Sequence, residues 1–380
     1  MLDVSRPIEL LRPPVIRFGS GTIADLADWV NAGGYQRPFV VADAFNADRL
    51  SVLGPLHNLS IFGKVVPEPD TPNLEAAVTA AKAHDPDLII GFGGGSAMDI
   101  AKLVAVLVSG KQSLTEIVGP EKVTGRTIAL AQIPTTAGTG SEMGTRALVT
   151  DPATHNKLAV QSRFMLADIA IVDPDMTTTV PSRITAETGV DAMAHCVEAF
   201  TSLKAHPLID AYALQGIQLV GRYLSRAVAN GSDKEARAGL ALASMYGGVC
   251  LGPVNTAGGH AIAYPLGTRH HIPHGAANAI IFPHVLAFNA PVAAEKTAAI
   301  LNALGLETSS DEKIVRKVAM EYCASLGVEM RMSARGVPKS ELEAMADEAF
   351  AIKRLIDNNP RALTRKDILE IYDAAYGDSK

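Results

Sequence analysis

Three cysteines in 380 residues are few, and Cys196, Cys250 and Cys323 lie far apart with no C-x-x-C pair among them. That excludes a disulfide framework and predicts reduced, buried thiols in a cytoplasmic protein. No apolar run approaches the roughly 18 to 20 residues needed to span a membrane, so a membrane partner is not expected. The opening stretch MLDVSRPIELLRPP carries acids and prolines but no apolar core followed by a small-residue cleavage site, so it is not read as a secretory signal. Cationic excess is missing too. The net charge is −6 and no Lys/Arg stripe overrules it, which argues against nucleic acid as a partner. Internal repeats and low-complexity linkers are also absent. What remains, 48% apolar and 19% charged residues, is the balance of a globular chain long enough for two cores.

The first half alternates short β-rich runs with helical stretches. PPVIRFG precedes TIADLADWVNAG, RPFVVAD precedes AFNADRLSVL, LSIFGKVV precedes NLEAAVTAAKAH, and DLIIGF runs into GGGSAMDIAKLVAVLVSG. Continuous apolar strands separated by helices predict parallel strands covered on both faces. TIALAQIP, RALVTD, KLAVQ and DIAIVDP add further strands. From TTTVPSR onward the texture is helix after helix, alanine-rich and amphipathic. The expectation is an α/β nucleotide-binding domain over 1–181, with a mostly parallel sheet flanked by helices, and an all-helical metal-binding domain over 182–380. Ser182 is the expected N-cap of the first helix there.

Two glycine-rich connections follow apolar strands. In DLIIGFGGGSAMDIAK, glycines 93–95 and Ser96 stand between a strand and a helix. Missing side chains let a phosphate approach the backbone, and the N–H groups that open the helix can bind it. The spacing is not G-x-G-x-x-G, so a ligand-free turn is an equal reading. PTTAGTGSE (134–142) is the second such connection, rich in hydroxyls. Asp43 ends RPFVVAD, where a carboxylate can accept from a ribose diol and repel a 2′-phosphate, favouring NAD over NADP. A solvated loop aspartate is the alternative.

Four of the ten histidines fall within GGHAIAYPLGTRHHIPHG, residues 258–275. Asp191 and His195, four apart in TAETGVDAMAHCVEAF, share one face of a helix. With His260 and His274 they make one carboxylate and three imidazoles, a set suited to divalent iron or zinc. His270 and His271 are neighbours and cannot readily serve the same ion. His57, His84, His155, His206 and His284 are scattered and receive no role.

Together GGGSAMDIAK, PTTAGTGSE, GVDAMAH and HAIAYPLG…HIPHG resemble the iron-containing alcohol dehydrogenase family, with its dehydroquinate-synthase-like two-domain fold. The resemblance runs in order through nearly the whole chain. It implies Asp191, His195, His260 and His274 as ligands of Fe2+, replaceable by Zn2+. It places the pyrophosphate of NAD on Gly94, Gly95 and Ser96, and Thr135, Thr136 and Thr139 along the cofactor. Asp43 matches the ribose-binding acid, Lys157 a lysine near the nicotinamide ribose, and Asp99 an acid facing the nicotinamide pocket. A homodimer or larger homo-oligomer is implied as well.

The chain departs from the family at two places. Tyr264 occupies a position where several members carry a proton-relaying histidine. The tyrosine hydroxyl, His271, or water with a cofactor hydroxyl then moves the proton. Glu68 stands where an asparagine is common. The activity implied is hydride transfer between NAD(H) and a small primary alcohol or aldehyde on the metal. Rival readings on the same fold are a hydroxyacid–oxoacid transhydrogenase or a maleylacetate-type reductase, which need cations such as Arg146 or Arg269 near the metal. A cyclising lyase, a metallohydrolase without dinucleotide and a non-catalytic NAD- or metal-binding protein are the remaining alternatives.

Overall fold

The computed structural model describes residues 4–154 and 156–377. His155 and the first three residues of the N-terminal stretch lie outside them. The chain divides into two compact units. One comprises Leu10–Thr136 and Gly140–Thr179, the other Met1–Glu9, Ala137–Thr139 and Val180–Lys380.

Among the described residues the first unit holds nine strands: β1 (Val15–Phe18), β2 (Pro38–Asp43), β3 (Ser60–Val65), β4 (Leu88–Gly93), β5 (Gly119–Pro120), β6 (Ala129–Pro134), β7 (Arg146–Thr150), β8 (Lys157–Gln161) and β9 (Ile169–Val172). Six form one sheet in the order β1-β9-β6-β4-β2-β3, and every pairing in it is parallel. Both faces are buried, as the unbroken apolar runs require. Phe39, Val41 and Ile89 feed one core, while Val40, Ala42, Leu88, Ile90 and Phe92 feed the other. RALVT and KLAVQ do not join this sheet. A short connection folds β7 back on β8, antiparallel from Arg146↔Gln161 to Thr150↔Lys157, in a second sheet with β5.

AFNADRLSVL does not make one helix. It gives a single turn, Ala44–Ala47, and a 3-10 segment, Leu50–Leu53, ended by Gly54 at φ 78°. Asp43 caps the first turn by accepting from the Asn46 N–H.

The second unit is helical. Its central helix, Ser182–Thr201, is buried almost throughout from Thr185 onward. Ser182 is the first helical residue rather than the cap. Pro181 holds the cap position, its carbonyl accepting from the Thr185 N–H at 2.8 Å. Packed around it are Pro207–Ala229, Lys234–Leu251, Gly258–His270 and His274–Asn289. Gly275 permits a close approach, since a Cβ there would lie 2.5 Å from the Glu187 carbonyl oxygen. The start of the His274–Asn289 helix is thereby drawn against the central one. No helix among the described residues is long and apolar enough to cross a membrane.

Candidate active site

Four side chains converge inside the helical unit. Asp191 and His195 come from the central helix, His260 from Gly258–His270, and His274 is the first residue of the next helix. Asp191 Oδ1 lies 3.9 Å from His195 Nε2, 3.6 Å from His260 Nε2 and 3.5 Å from His274 Nε2. One ligand atom from each lies within 4.8 Å of all the others. Ligands about 2.1 Å from a common tetrahedral centre stand about 3.4 Å apart. The donor set and its spacing therefore fit a divalent first-row ion.

The surroundings orient these ligands. Glu198 Oε1 lies 2.6 Å from His260 Nδ1, and the Gly138 carbonyl lies 3.3 Å from His195 Nδ1. In both rings the far nitrogen is engaged and Nε2 is left facing the cluster, as in metal sites generally. Asn278 Nδ2 donates to Asp191 Oδ1 at 2.6 Å and lies near the Nε2 atoms of His260 and His274. Burial pulls His195 down to about 4. Burial works the same way on His260, yet Glu198 and Asp191 lift it to about 10. The imidazoles hold the Asp191 carboxyl far below its usual range, again against burial. His260 would hold a cation here through Nε2 once that nitrogen has given up its proton.

Glu198 and Asn278 were not read from the sequence, although signals exist. Asp191, His195 and Glu198 fall at i, i+4 and i+7, one helix face, and Asn278 is four residues after His274.

Tyr264 is buried, its ring centroid 6.0 Å from that of His274. His271 is exposed, capping the helix end in the left-handed region at φ 53°. Arg269 is held by two carboxylates, Glu348 at 2.6 Å and Glu341 at 3.2 Å. Arg146 belongs to the other unit and donates to Gln161 at 2.9 Å.

In the α/β unit, Gly94 caps the helix Gly95–Leu107, and Gly94, Gly95 and Ser96 are each half-exposed at its start. Gly93 has φ 156°, and a Cβ there would meet Ala97 Cβ at 2.8 Å and Asp43 Oδ2 at 3.0 Å. Thr136 flanks Gly94, and the Thr135 N–H donates to the Gly93 carbonyl at 2.9 Å. The PTTAGTGSE connection is shared, since Thr139 groups with the helical unit. Asp43 is half-buried at the end of β2. Asp99 accepts from the Ser141 hydroxyl at 2.6 Å and from the Leu148 N–H at 2.9 Å, so both its oxygens have protein donors. Burial raises its pKa. Lys157 is ion-paired with Glu68, the residue that replaces the family's asparagine.

Residues 13–174 match the family model for iron-containing alcohol dehydrogenase, and residues 185–376 match the C-terminal model of the same family. The chain belongs to the iron-containing alcohol dehydrogenase family. It is therefore an oxidoreductase, and these matches favour hydride transfer over the lyase and hydrolase readings. It is 37% identical to long-chain-alcohol dehydrogenase 1 of Geobacillus thermodenitrificans, over 96% of this chain and 95% of that one. It is 35% identical to the sulfoacetaldehyde reductase of Bilophila wadsworthia, over 94% and 96%. The crystal structure of sulfoacetaldehyde reductase from Bifidobacterium kashiwanohense in complex with NAD+ is similar with a TM-score of 0.87, at 25% identity over 99% of this chain and all of that one.

Proposed function

We propose that this iron-family dehydrogenase moves hydride between NAD(H) and a small primary alcohol or aldehyde. Divalent iron, replaceable by zinc, is held by Asp191, His195, His260 and His274. The observation that carries the reading is the convergence of these four ligand atoms within 4.8 Å, with Glu198 bracing His260 from behind. The NAD+ complex of a relative supports the cofactor. In this reading residues 1–181 work as the dinucleotide-binding domain and 182–380 as the catalytic, metal-binding domain. The family resemblance supports a cytoplasmic homo-oligomer.

When bound, the metal supplies Lewis acidity toward the alcohol or carbonyl oxygen, and the nicotinamide supplies the hydride acceptor or donor. The chain does the rest. Glu198 and the Gly138 carbonyl fix the tautomers that turn Nε2 of His260 and His195 toward the ion. The N–H groups at Gly94, Gly95 and Ser96 receive the pyrophosphate at a helix N-terminus. Asp43 accepts from the ribose diol and repels a 2′-phosphate, favouring NAD over NADP. Thr135, Thr136, Thr139 and Lys157 line the cofactor, and Asp99 faces the nicotinamide side. Tyr264, beside His274, relays the proton of the alcohol, its hydroxyl accepting that proton as it passes its own on to water; the exposed His271, or water with a cofactor hydroxyl, is the alternative.

Metal analysis of protein purified without air, followed by an NADH-linked screen of C2–C5 aldehydes, hydroxyaldehydes and oxoacids, tests this. One bound iron or zinc and turnover of a neutral aldehyde are expected. Metal-loaded protein that turns over none of them overturns the reading, and turnover of oxoacids alone favours the transhydrogenase class.

A further inference from the structure

Asp43 and Thr135 come from different strand ends, and a residue with no part in the reaction scheme joins them. Asn46 is only 3% exposed. Its Nδ2 donates to Asp43 Oδ2 at 2.8 Å and to Thr135 Oγ1 at 3.2 Å, while its backbone N–H donates to Asp43 Oδ1 at 3.0 Å. Gly93 leaves room for the arrangement, since a Cβ there would crowd Asp43 Oδ2 at 3.0 Å. The carboxyl ends of β2, β4 and β6 thus meet around one side-chain amide.

Chemistry fixes the orientation of that amide. Turned over, its oxygen would face the Asp43 carboxylate, acceptor against acceptor. In the orientation present, Asn46 Oδ1 is a buried acceptor with no partner among the described residues. Unpaired buried polar atoms are disfavoured and call for a reason. Here the reason is a double donation that no apolar residue of the same size supplies.

Two consequences follow for a ligand. Asp43 has each oxygen held by a donor of its own turn, so the carboxylate is locked in place, and its remaining lone pairs accept only. The Thr135 oxygen accepts from Asn46, so its own proton is left to donate, which suits an acceptor such as a phosphate oxygen. We infer that Asn46 is the positioning residue of the nucleotide site. It sets Asp43 as acceptor for ribose hydroxyls and Thr135 as donor to phosphate, without itself touching the dinucleotide. This rests on the NAD reading above.

Calorimetric titration of the metal-loaded enzyme with NAD+ tests it. Wild type comes first: failure to bind NAD+ withdraws the cofactor reading and this inference with it. Given binding, N46A and the near-isosteric N46L, each checked for folding by circular dichroism, are expected to weaken NAD+ by about three- to tenfold. The kinetic effect should fall on KM for NAD+ rather than on kcat. Because Asn46 acts through its two partners, N46L added to D43A/T135V should change the affinity no further. Wild-type NAD+ affinity in N46L, which a packing role alone allows, overturns the inference. So does a loss that adds in full to that of D43A/T135V.

Discussion

Two buried polar clusters, one in each unit, solve the same problem in opposite ways. In the α/β unit, oxygens converge on a cation that the chain itself supplies. Lys102 is fully buried, and its Nζ donates to the Ser141 carbonyl at 2.6 Å, the Ser141 hydroxyl at 2.8 Å and the Arg146 carbonyl at 2.9 Å, with Asp99 at 4.0 Å. In the helical unit the partners of Asp191 are three imidazoles and the Asn278 amide, none of them permanently charged. Both clusters hold a carboxylate, Asp191 buried and Asp99 partly so, which needs a compensating charge. Where lysine supplies it, the cluster ties a helix to a loop. Where titratable imidazoles surround it, each able to give up its Nε2 proton and turn that lone pair inward, the cluster suits an exogenous cation and hence chemistry.

Substitution separates the two most sharply at Asp191. D191A is expected to lose the metal on elemental analysis and to lower NADH-linked turnover by at least about 10³-fold, the loss of several kcal/mol of Lewis-acid stabilisation. Retention of metal and activity would erase the contrast. K102M should instead destabilise by about 3 kcal/mol, because the carbonyls and the Asp99 carboxylate lose their cation. Denaturant melts read this, while the metal content of the folded fraction stays at the wild-type level.

E198Q sharpens the metal side. It leaves all four ligands but weakens the brace on His260, and metal affinity should drop by about 10- to 100-fold in a competitive chelator titration. The smallest effect lies beside Lys102, where burial lifts Glu142 to about 7 from 4.5. A group with a raised folded-state pKa favours the folded state fully below its unfolded value, and that contribution is lost as pH rises through about 7. E142Q should flatten the fall in melting temperature between about pH 5 and about pH 8. An unchanged slope would show that another group sets it.

Much of this was legible because it is local. The alternation of apolar runs with helices carries the parallel sheet, and the four-residue spacing of Asp191 and His195 puts both on one helix face. Local reading also overreached. AFNADRLSVL has helical composition, yet Asp43 and Asn46 close a single turn in its place. Nor could the sequence separate RALVT and KLAVQ from the main sheet, because strand periodicity says nothing about which neighbour a strand takes.

The pairings across long separations were not readable at all. Lys157 meets Glu68, Arg269 meets Glu341 and Glu348, and His260 meets Glu198. Each joins residues whose proximity depends on how whole elements pack. Arg269 illustrates the difference, since its charge was visible but its two carboxylate partners were not.

Residue order alone determined the kinds of element, the glycine turns at strand ends and the inventory of metal-binding side chains, because each depends on neighbours within a few positions. Packing decided which of those side chains share a centre, which cations are neutralised and which polar atoms stay unpaired. Those outcomes depend on distances between segments far apart in the chain, and only burial of the helices and the sheet fixes such distances.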